Sequence, residues 1–212
     1  MNIPILFENE ECIVLNKPSG LAVQGGEKVR NSLDSILTEE FAQRPLLVHR
    51  LDKDTSGVIL VAKTRASAAF FTGLFAEKGA GRVFKQYKAV CKGKPTPESG
   101  CINMEIYIRG FAKRAETRYR LVSVRNAPPL VSLLEIETVA GRMHQIRRHL
   151  AQIGVPILGD DKYGDFTLNK SLHKTTGLKR LLLHAERLVI SEKKIDVSAP
   201  LPVYFSSFII EK

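Results

Sequence analysis

The chain has little that would tie it to a metal, a membrane or an oxidising compartment. It holds three cysteines, Cys12, Cys91 and Cys101. Their odd number, wide spacing and lack of a Cys-x-x-Cys pair argue against a disulfide framework and a thiolate zinc site. His144 and His149 stand about 140° apart around a helix, so they do not converge on a metal as an i, i+4 pair does. Apolar runs such as Val58–Ala62 fall short of the roughly 20 residues that cross a bilayer as a helix. Met1–Glu10 carries acids where a signal peptide carries base, and it lacks a long apolar stretch. No basic amphipathic helix with an apolar face, the mark of a membrane-surface protein, is evident. Internal repeats and low-complexity tracts are missing as well. These absences predict a reduced, cytoplasmic protein without metal or membrane, with a monomer as the default because no extended apolar face is left over.

What is present is positive charge. Lys and Arg total 32 against 22 Asp and Glu, a net charge of +10 and a pI near 9.6. That excess favours a polyanionic partner, and nucleic acid fits better than an anionic membrane. With 44% hydrophobic residues in 212, the chain can bury one sizeable core or two small ones.

Short alternating segments dominate. Ile3–Phe7 and Cys12–Asn16 read as strands about an acidic turn. Ser32 is a good N-cap for a helix to about Phe41, with Leu33, Ile36 and Leu37 on one face. Leu46–Val48 and Val58–Ala62 read as strands, and Thr64 can cap a second helix carrying Ala68, Phe71, Leu74 and Phe75. Arg82–Val90 alternates as a strand that holds Tyr87, and Lys92–Gly100 is the most plausible loop. Arg118–Val124 and Val131–Thr138 pair about a turn at Asn126–Pro129. A short helix runs from about His144 to Ile153 and ends at Gly154. Leu181–His184, Arg187–Ile190 and Ile195–Val197 supply further strands, and Pro202–Ile209 a final packing element. Many short strands with a few helices give a mixed α+β sheet domain.

The stretch Leu47–Gly57 carries the chemistry. It sets Asp52 directly after an apolar run and an arginine, and just before a small polar turn closed by Gly57. Turn chemistry alone accounts for Asp, Ser and Gly there. Equally, a carboxylate held by backbone on both sides suits a nucleophile or general base. Asp52-x-Asp54-x-Ser56-Gly57 also copies the first half of a calcium loop. That loop needs a bidentate glutamate at its twelfth position, where this chain has Lys63. The calcium reading fails.

His49-Arg50-Leu51-Asp52 through Thr55-Ser56-Gly57, continued by Val61-Ala62-Lys63-Thr64, resembles the signature of the RluA-type pseudouridine synthases. Val14–Leu21 resembles the opening motif of that family and Lys85–Ala89 its tyrosine segment. Gly141–Leu150, running on to Gly154–Asp160, resembles its arginine motif, and Leu181–Ala185 its C-terminal strand. The order of the pieces matches, and they span most of the chain.

The resemblance implies a fold of one long, bent, mostly antiparallel sheet in two abutting halves with flanking helices and a central cleft. It implies a single catalytic domain over 1–212 with no appended N-terminal RNA-binding domain. It also implies isomerisation of specific uridines in structured RNA, either large-subunit ribosomal RNA or transfer RNA, with no cofactor. Asp52 then either attacks ribose C1′ or removes the C2′ proton. Arg147 is its cationic partner, Tyr87 stacks on the uracil, and Leu182 or Leu183 walls the ring. Arg50 fills the stack that the flipped base vacates, a step costing roughly a few kcal/mol. Helical geometry agrees for the arginine motif. With Ile146, Leu150 and Ile153 inward, Arg147 lies about 90° off the apolar face, at its edge, while Arg148 points away toward solvent and phosphate.

His49 reads as structural and Lys17 as solvated, in an ordinary Pro-Ser-Gly turn that the resemblance implies supports the cleft. Met143 stands where a small hydroxyl residue is common in the family, and Ser191–Lys194 where a His-Pro turn often sits. Two other functions compete. A non-catalytic RNA-binding or RNA-folding protein would keep the charge without needing Asp52, Tyr87 and Arg147 together. A carboxylate-based nucleoside or glycoside hydrolase would need a second acid, and only Asp54 is close in sequence.

Overall fold

A computed structural model describes residues 3–26, 31–76, 82–108, 110–139 and 141–209. In chain order the elements are β1 (Ile5–Glu8), β2 (Cys12–Lys17), α1 (Leu33–Glu40), β3 (Leu46–Leu47), β4 (Ser56–Ala62), α2 (Arg65–Ala76) and β5 (Val83–Lys92). There follow β6 (Ser99–Ile102), β7 (Ile106–Ile108), β8 (Phe111–Lys113), β9 (Thr117–Arg125), β10 (Val131–Thr138) and α3 (Gln145–Gln152). The chain ends in α4 (Phe166–Thr176), β11 (Leu183–Ile190), β12 (Ile195–Ser198) and α5 (Ser206–Ile209), the last preceded by a 3-10 turn. None of the described helices is long and apolar enough to cross a membrane. The chain divides into two compact units, one of 1–84 with 185–200 and one of 85–184 with 201–212.

In the first unit β2 pairs antiparallel with β1 and with β4, and β4 neighbours β11. β3 pairs with β4, and β12 with β11, both antiparallel. All of β4 is buried, which is why Val58–Ala62 reads as an unbroken apolar run rather than an alternating one. Phe71 and Leu74 of α2 pack on Val14, Val58, Leu60 and Leu188. Burying a side chain of that size contributes roughly 1.5–3 kcal/mol. Both helices begin as their sequences predict. The Ser32 side chain accepts the Ser35 amide while the Ser35 hydroxyl takes the Ser32 amide. Thr64 and Ser67 exchange the same pair of bonds ahead of α2. Each cap satisfies amides that a helix start leaves open.

In the second unit the strand order is β5-β10-β9-β6, every pair antiparallel, with β7 and β8 forming a separate hairpin. The expected turn between β9 and β10 is observed. Ile146 and Leu150 of α3, Leu172 of α4, and Phe205 and Phe208 pack on Ala89, Val90, Leu134 and Ile136.

Several elements differ from expectation. The strands expected at Leu181–His184 and Arg187–Ile190 merge into one, Leu183–Ile190, with Leu181 and Leu182 outside it. The presumed loop Lys92–Gly100 is shorter, since β5 runs to Lys92 and β6 begins at Ser99. Neither the helix Phe166–Thr176 nor the β7–β8 hairpin had a counterpart in the sequence reading.

Candidate active site

In the first unit, Asp52 lies in the loop between β3 and β4, with Arg50 exposed beside it. The Asp52 carbonyl accepts the Thr55 amide at 3.2 Å, which closes the turn. His49 is structural, as expected. Its Nε2 accepts the Leu60 amide at 2.9 Å, and its ring stacks on Phe75 at 4.1 Å.

Lys17 corrects the sequence reading. It is fully buried rather than solvated. Its Nζ donates to the carbonyls of Pro18 at 3.0 Å, Leu21 at 2.8 Å and Lys53 at 3.0 Å. The Gly20 amide also donates to the Lys53 carbonyl, and the Ser19 hydroxyl donates to the Asp54 carbonyl at 2.8 Å. The Pro18–Leu21 turn and the Asp52–Thr55 turn are thus tied together by buried bonds through backbone. An ammonium suits this role because it offers three donors and no acceptor. Burial pushes the Lys17 pKa down to about 7, against the opposing pull of the Asp54 and Asp52 charges. Gly57 completes the frame. Its φ is +110°, and a Cβ there would lie 2.0 Å from the Ala185 carbonyl oxygen, so only glycine fits this approach.

In the second unit, Arg147 is 2% exposed, deeper than an edge position requires. Its Nε and Nη2 donate to the two oxygens of Asp160 at 2.8 and 2.7 Å, and Nη2 also reaches Asp161 at 2.8 Å. This is the bidentate geometry that a guanidinium fork makes with a carboxylate. Burial would raise the Asp160 pKa. The hydrogen bonds from Arg147 and from the Tyr163 and Lys162 amides outweigh it and hold the carboxyl below its usual value.

The Tyr163 ring lies 5.5 Å from the Arg147 guanidinium and 5.9 Å from that of Arg148, with its hydroxyl 3.1 Å from His144 Nδ1. Arg148, half-buried, donates through Nη1 to the Tyr107 carbonyl at 2.9 Å, linking α3 to the β7–β8 hairpin. His149 is buried, with Nδ1 2.9 Å from the Thr117 hydroxyl and Nε2 3.1 Å from the Met104 carbonyl. Burial lowers its pKa, as does Arg148. Together with the Gln145 bonds to Glu116 and Thr117, these fix the rotation of α3 and therefore the depth of Arg147.

Tyr87 sits on β5 opposite Ile136 and packs against the cluster that contains Leu182 and Leu183. Both leucines are buried. The predicted residues of the second unit thus fall on three pieces of one core: β5, α3 and the segment entering β11. Asp160, Tyr163 and the clamping role of Lys17 escaped the sequence reading. Asp160 had a signal. An Asp whose side chain takes the amides two and three residues on, here Lys162 and Tyr163 at 2.9 Å, makes an Asx turn. Lys17 had no signal that distinguishes it from a surface lysine.

The description "RNA pseudouridylate synthase" belongs to the family whose sequence model matches residues 11–152. Among curated relatives, the ribosomal large subunit pseudouridine synthase C of Rickettsia prowazekii (strain Madrid E) is 38% identical over 227 residues, covering 97% of this chain and 70% of that protein. The protein of the same name from Vibrio cholerae serotype O1 is 34% identical, covering 94% of this chain and 66% of its own. Among solved structures, human RNA pseudouridylate synthase domain containing 4 aligns with a TM-score of 0.78 at 26% identity, over 95% of this chain and 89% of that one. Human RNA pseudouridylate synthase domain containing 1 is similar in fold, with a TM-score of 0.80 at 24% identity over 100% and 91%.

Proposed function

Since the chain belongs to the RNA pseudouridylate synthase family and is an isomerase that converts uridine to pseudouridine in RNA, we propose that it acts on large-subunit ribosomal RNA, with Asp52, Tyr87 and Arg147 as its catalytic residues. The relatives at 34–38% identity are named for that RNA, and the matched stretch 11–152 contains all three residues. The reaction breaks the N1–C1′ bond of uridine, turns the uracil and joins C5 to C1′. The C5 proton leaves and N1 gains one, so nothing is consumed overall.

Asp52 acts at the ribose, either by attack on C1′ or by removal of the C2′ proton. The observation that carries this assignment is the Lys17 clamp, whose bonds to Pro18, Leu21 and Lys53 brace the turn from which the carboxylate projects. A braced carboxylate loses little geometry when substrate arrives. Arg147, held by Asp160 within its own unit, is the cationic member of the set. Tyr87 stacks on the uracil against the wall of Leu182 and Leu183. Arg50, exposed beside Asp52, takes the space of the extruded base through its planar head. Arg148 serves the RNA backbone. This reading puts the enzyme in the cytoplasm as a monomer.

The test is pseudouridine mapping of RNA from cells with and without the protein, with an Asp52→Asn rescue. Sites in large-subunit rRNA that only the wild type restores are the expected result. Loss confined to transfer RNA would overturn the substrate assignment. No change at any site would favour RNA binding without catalysis.

A further inference from the structure

Residues 166–180 contain Lys170, Lys174, Lys179 and Arg180 and no Asp or Glu. The apolar side of α4 is occupied, with Leu172 buried and Leu168 packed on the same core. At about 100° per residue, Lys170 and Lys174 fall nearly opposite Leu172 and follow the exposed Phe166 at four-residue steps along one outward stripe. Among the described residues, no carboxylate pairs with Lys170, Lys174 or Lys179. By contrast, Lys63, Lys88, Lys92 and Lys193 each hold a carboxylate at 2.6–2.7 Å. Asp165, at the head of the helix, is engaged twice, capping α4 through the Leu168 amide and pairing with Lys92. Self-neutralisation is thus absent where the sequence concentrates cations.

We propose that the outer face of α4, continued by Lys179 and Arg180, is a second RNA contact that grips the phosphate backbone of the substrate away from the reacting uridine. This inference rests on the RNA-modifying reading above. The chemistry selects phosphate over base edges, because lysine ammoniums are point charges that carry no planar pattern for reading a base. It selects RNA over a lipid surface as well. A membrane-surface helix needs a free apolar face to enter the headgroup boundary, and the apolar face of α4 is buried in the core of its own unit.

α4 is also held to the loop that fixes Arg147. The Asn169 side chain donates to the Asp160 carbonyl and accepts the Gly159 amide, both at 2.9 Å. Gly159, at φ +74°, has room for no Cβ, which would lie 2.0 Å from the Arg180 carbonyl oxygen. A backbone gripped by α4 is therefore held in fixed register to Arg147. The face positions RNA and takes no part in the bond changes.

The experiment compares the full wild-type chain with K170Q/K174Q/K179Q and with K170R/K174R/K179R. Binding to an RNA stem-loop of defined sequence is titrated across a potassium chloride series. Tritium release is followed on a C5-tritiated large-subunit rRNA transcript. Removing three phosphate contacts lowers the slope of log K against log salt by about 2–3 and raises KM about tenfold, with kcat within about twofold. The arginine variant restores both. An unchanged slope and KM in a folded glutamine variant would overturn the proposal, as would a fall in kcat alone. Loss of binding to phosphatidylserine vesicles with the RNA slope intact would overturn it in favour of a lipid partner. If the wild type releases no tritium from any RNA, the assigned substrate reaction fails, and the stem-loop slope still decides the role of α4.

Discussion

Replacing Asp160 with asparagine removes the charge that holds Arg147 in the interior. The Asp160 side chain is fully buried and its oxygens accept four bonds, two from Arg147 and one each from the Lys162 and Tyr163 amides. Asparagine keeps the shape but not the acceptors. If its carbonyl takes the position that serves the two amides and Nη2, its NH2 meets the Arg147 Nε, donor against donor. Breaking one side of a buried pair costs about 3–5 kcal/mol. The low end applies here, because Asp161, which is 68% exposed, still reaches Nη2. A loss of about 3 kcal/mol lowers the Tm of a chain of this size by roughly 6–12 °C.

The pH dependence carries a sign. The Asp160 pKa is depressed in the folded state, so its stabilisation is complete above the unfolded value near 4 and declines as pH falls through the folded value. Wild type and D160N should therefore converge on acidification. Urea unfolding followed by far-UV circular dichroism suits a chain with no tryptophan. A gap below about 1 kcal/mol at neutral pH, or one that stays constant into acid, would refute the account of Arg147 as a guanidinium anchored by Asp160.

Asp52→Asn should abolish tritium release while leaving RNA affinity within about twofold, since charge at that turn is not what holds phosphate; residual turnover near wild type would remove Asp52 from the chemistry. Lys17→Met leaves the Pro18 and Leu21 carbonyls without the ammonium and should reduce kcat more than it raises KM. Because burial lowers the Lys17 pKa to about 7 in the folded state, the folded chain gives up this proton above about pH 7 while the unfolded chain keeps it to about 10, so wild-type stability should rise with pH across that window. That slope disappears in K17M, and parallel urea midpoints for the two proteins across this range would contradict it. Gly57→Ala forces a Cβ to 2.0 Å from the Ala185 oxygen at φ +110° and should cost at least about 3 kcal/mol, measured by the same unfolding assay.

Local rules account for much of what was legible. Ser32 and Thr64 cap their helices because their hydroxyls accept amides three residues on, a contact written within four consecutive residues. The turn at 126–129 and the strands beside it follow from proline and alternation. The helix carrying Arg147 and Arg148 was legible from its apolar period, and Arg148 does lie outside the core. By the same rules α4 should have been found, since Asp165 is an N-cap and Gly177 follows the last turn. Its mixed polar surface and its single fully buried leucine, Leu172, hid the period.

The sequence by itself determined the charge that suits a polyanion, and through its resemblance to a known family the reaction class and the segments able to carry an acid, a stacking ring and a guanidinium, because motifs are written in consecutive residues. Only the tertiary structure decided what those groups are bonded to. Lys17 and Lys53 are 36 residues apart, and Arg147 meets Asp160 across the end of a helix and a turn. No local pattern distinguishes a buried lysine that braces the Asp52 turn from a solvated one. That difference is made by desolvation and three carbonyl oxygens, which exist as a set only after the chain has folded.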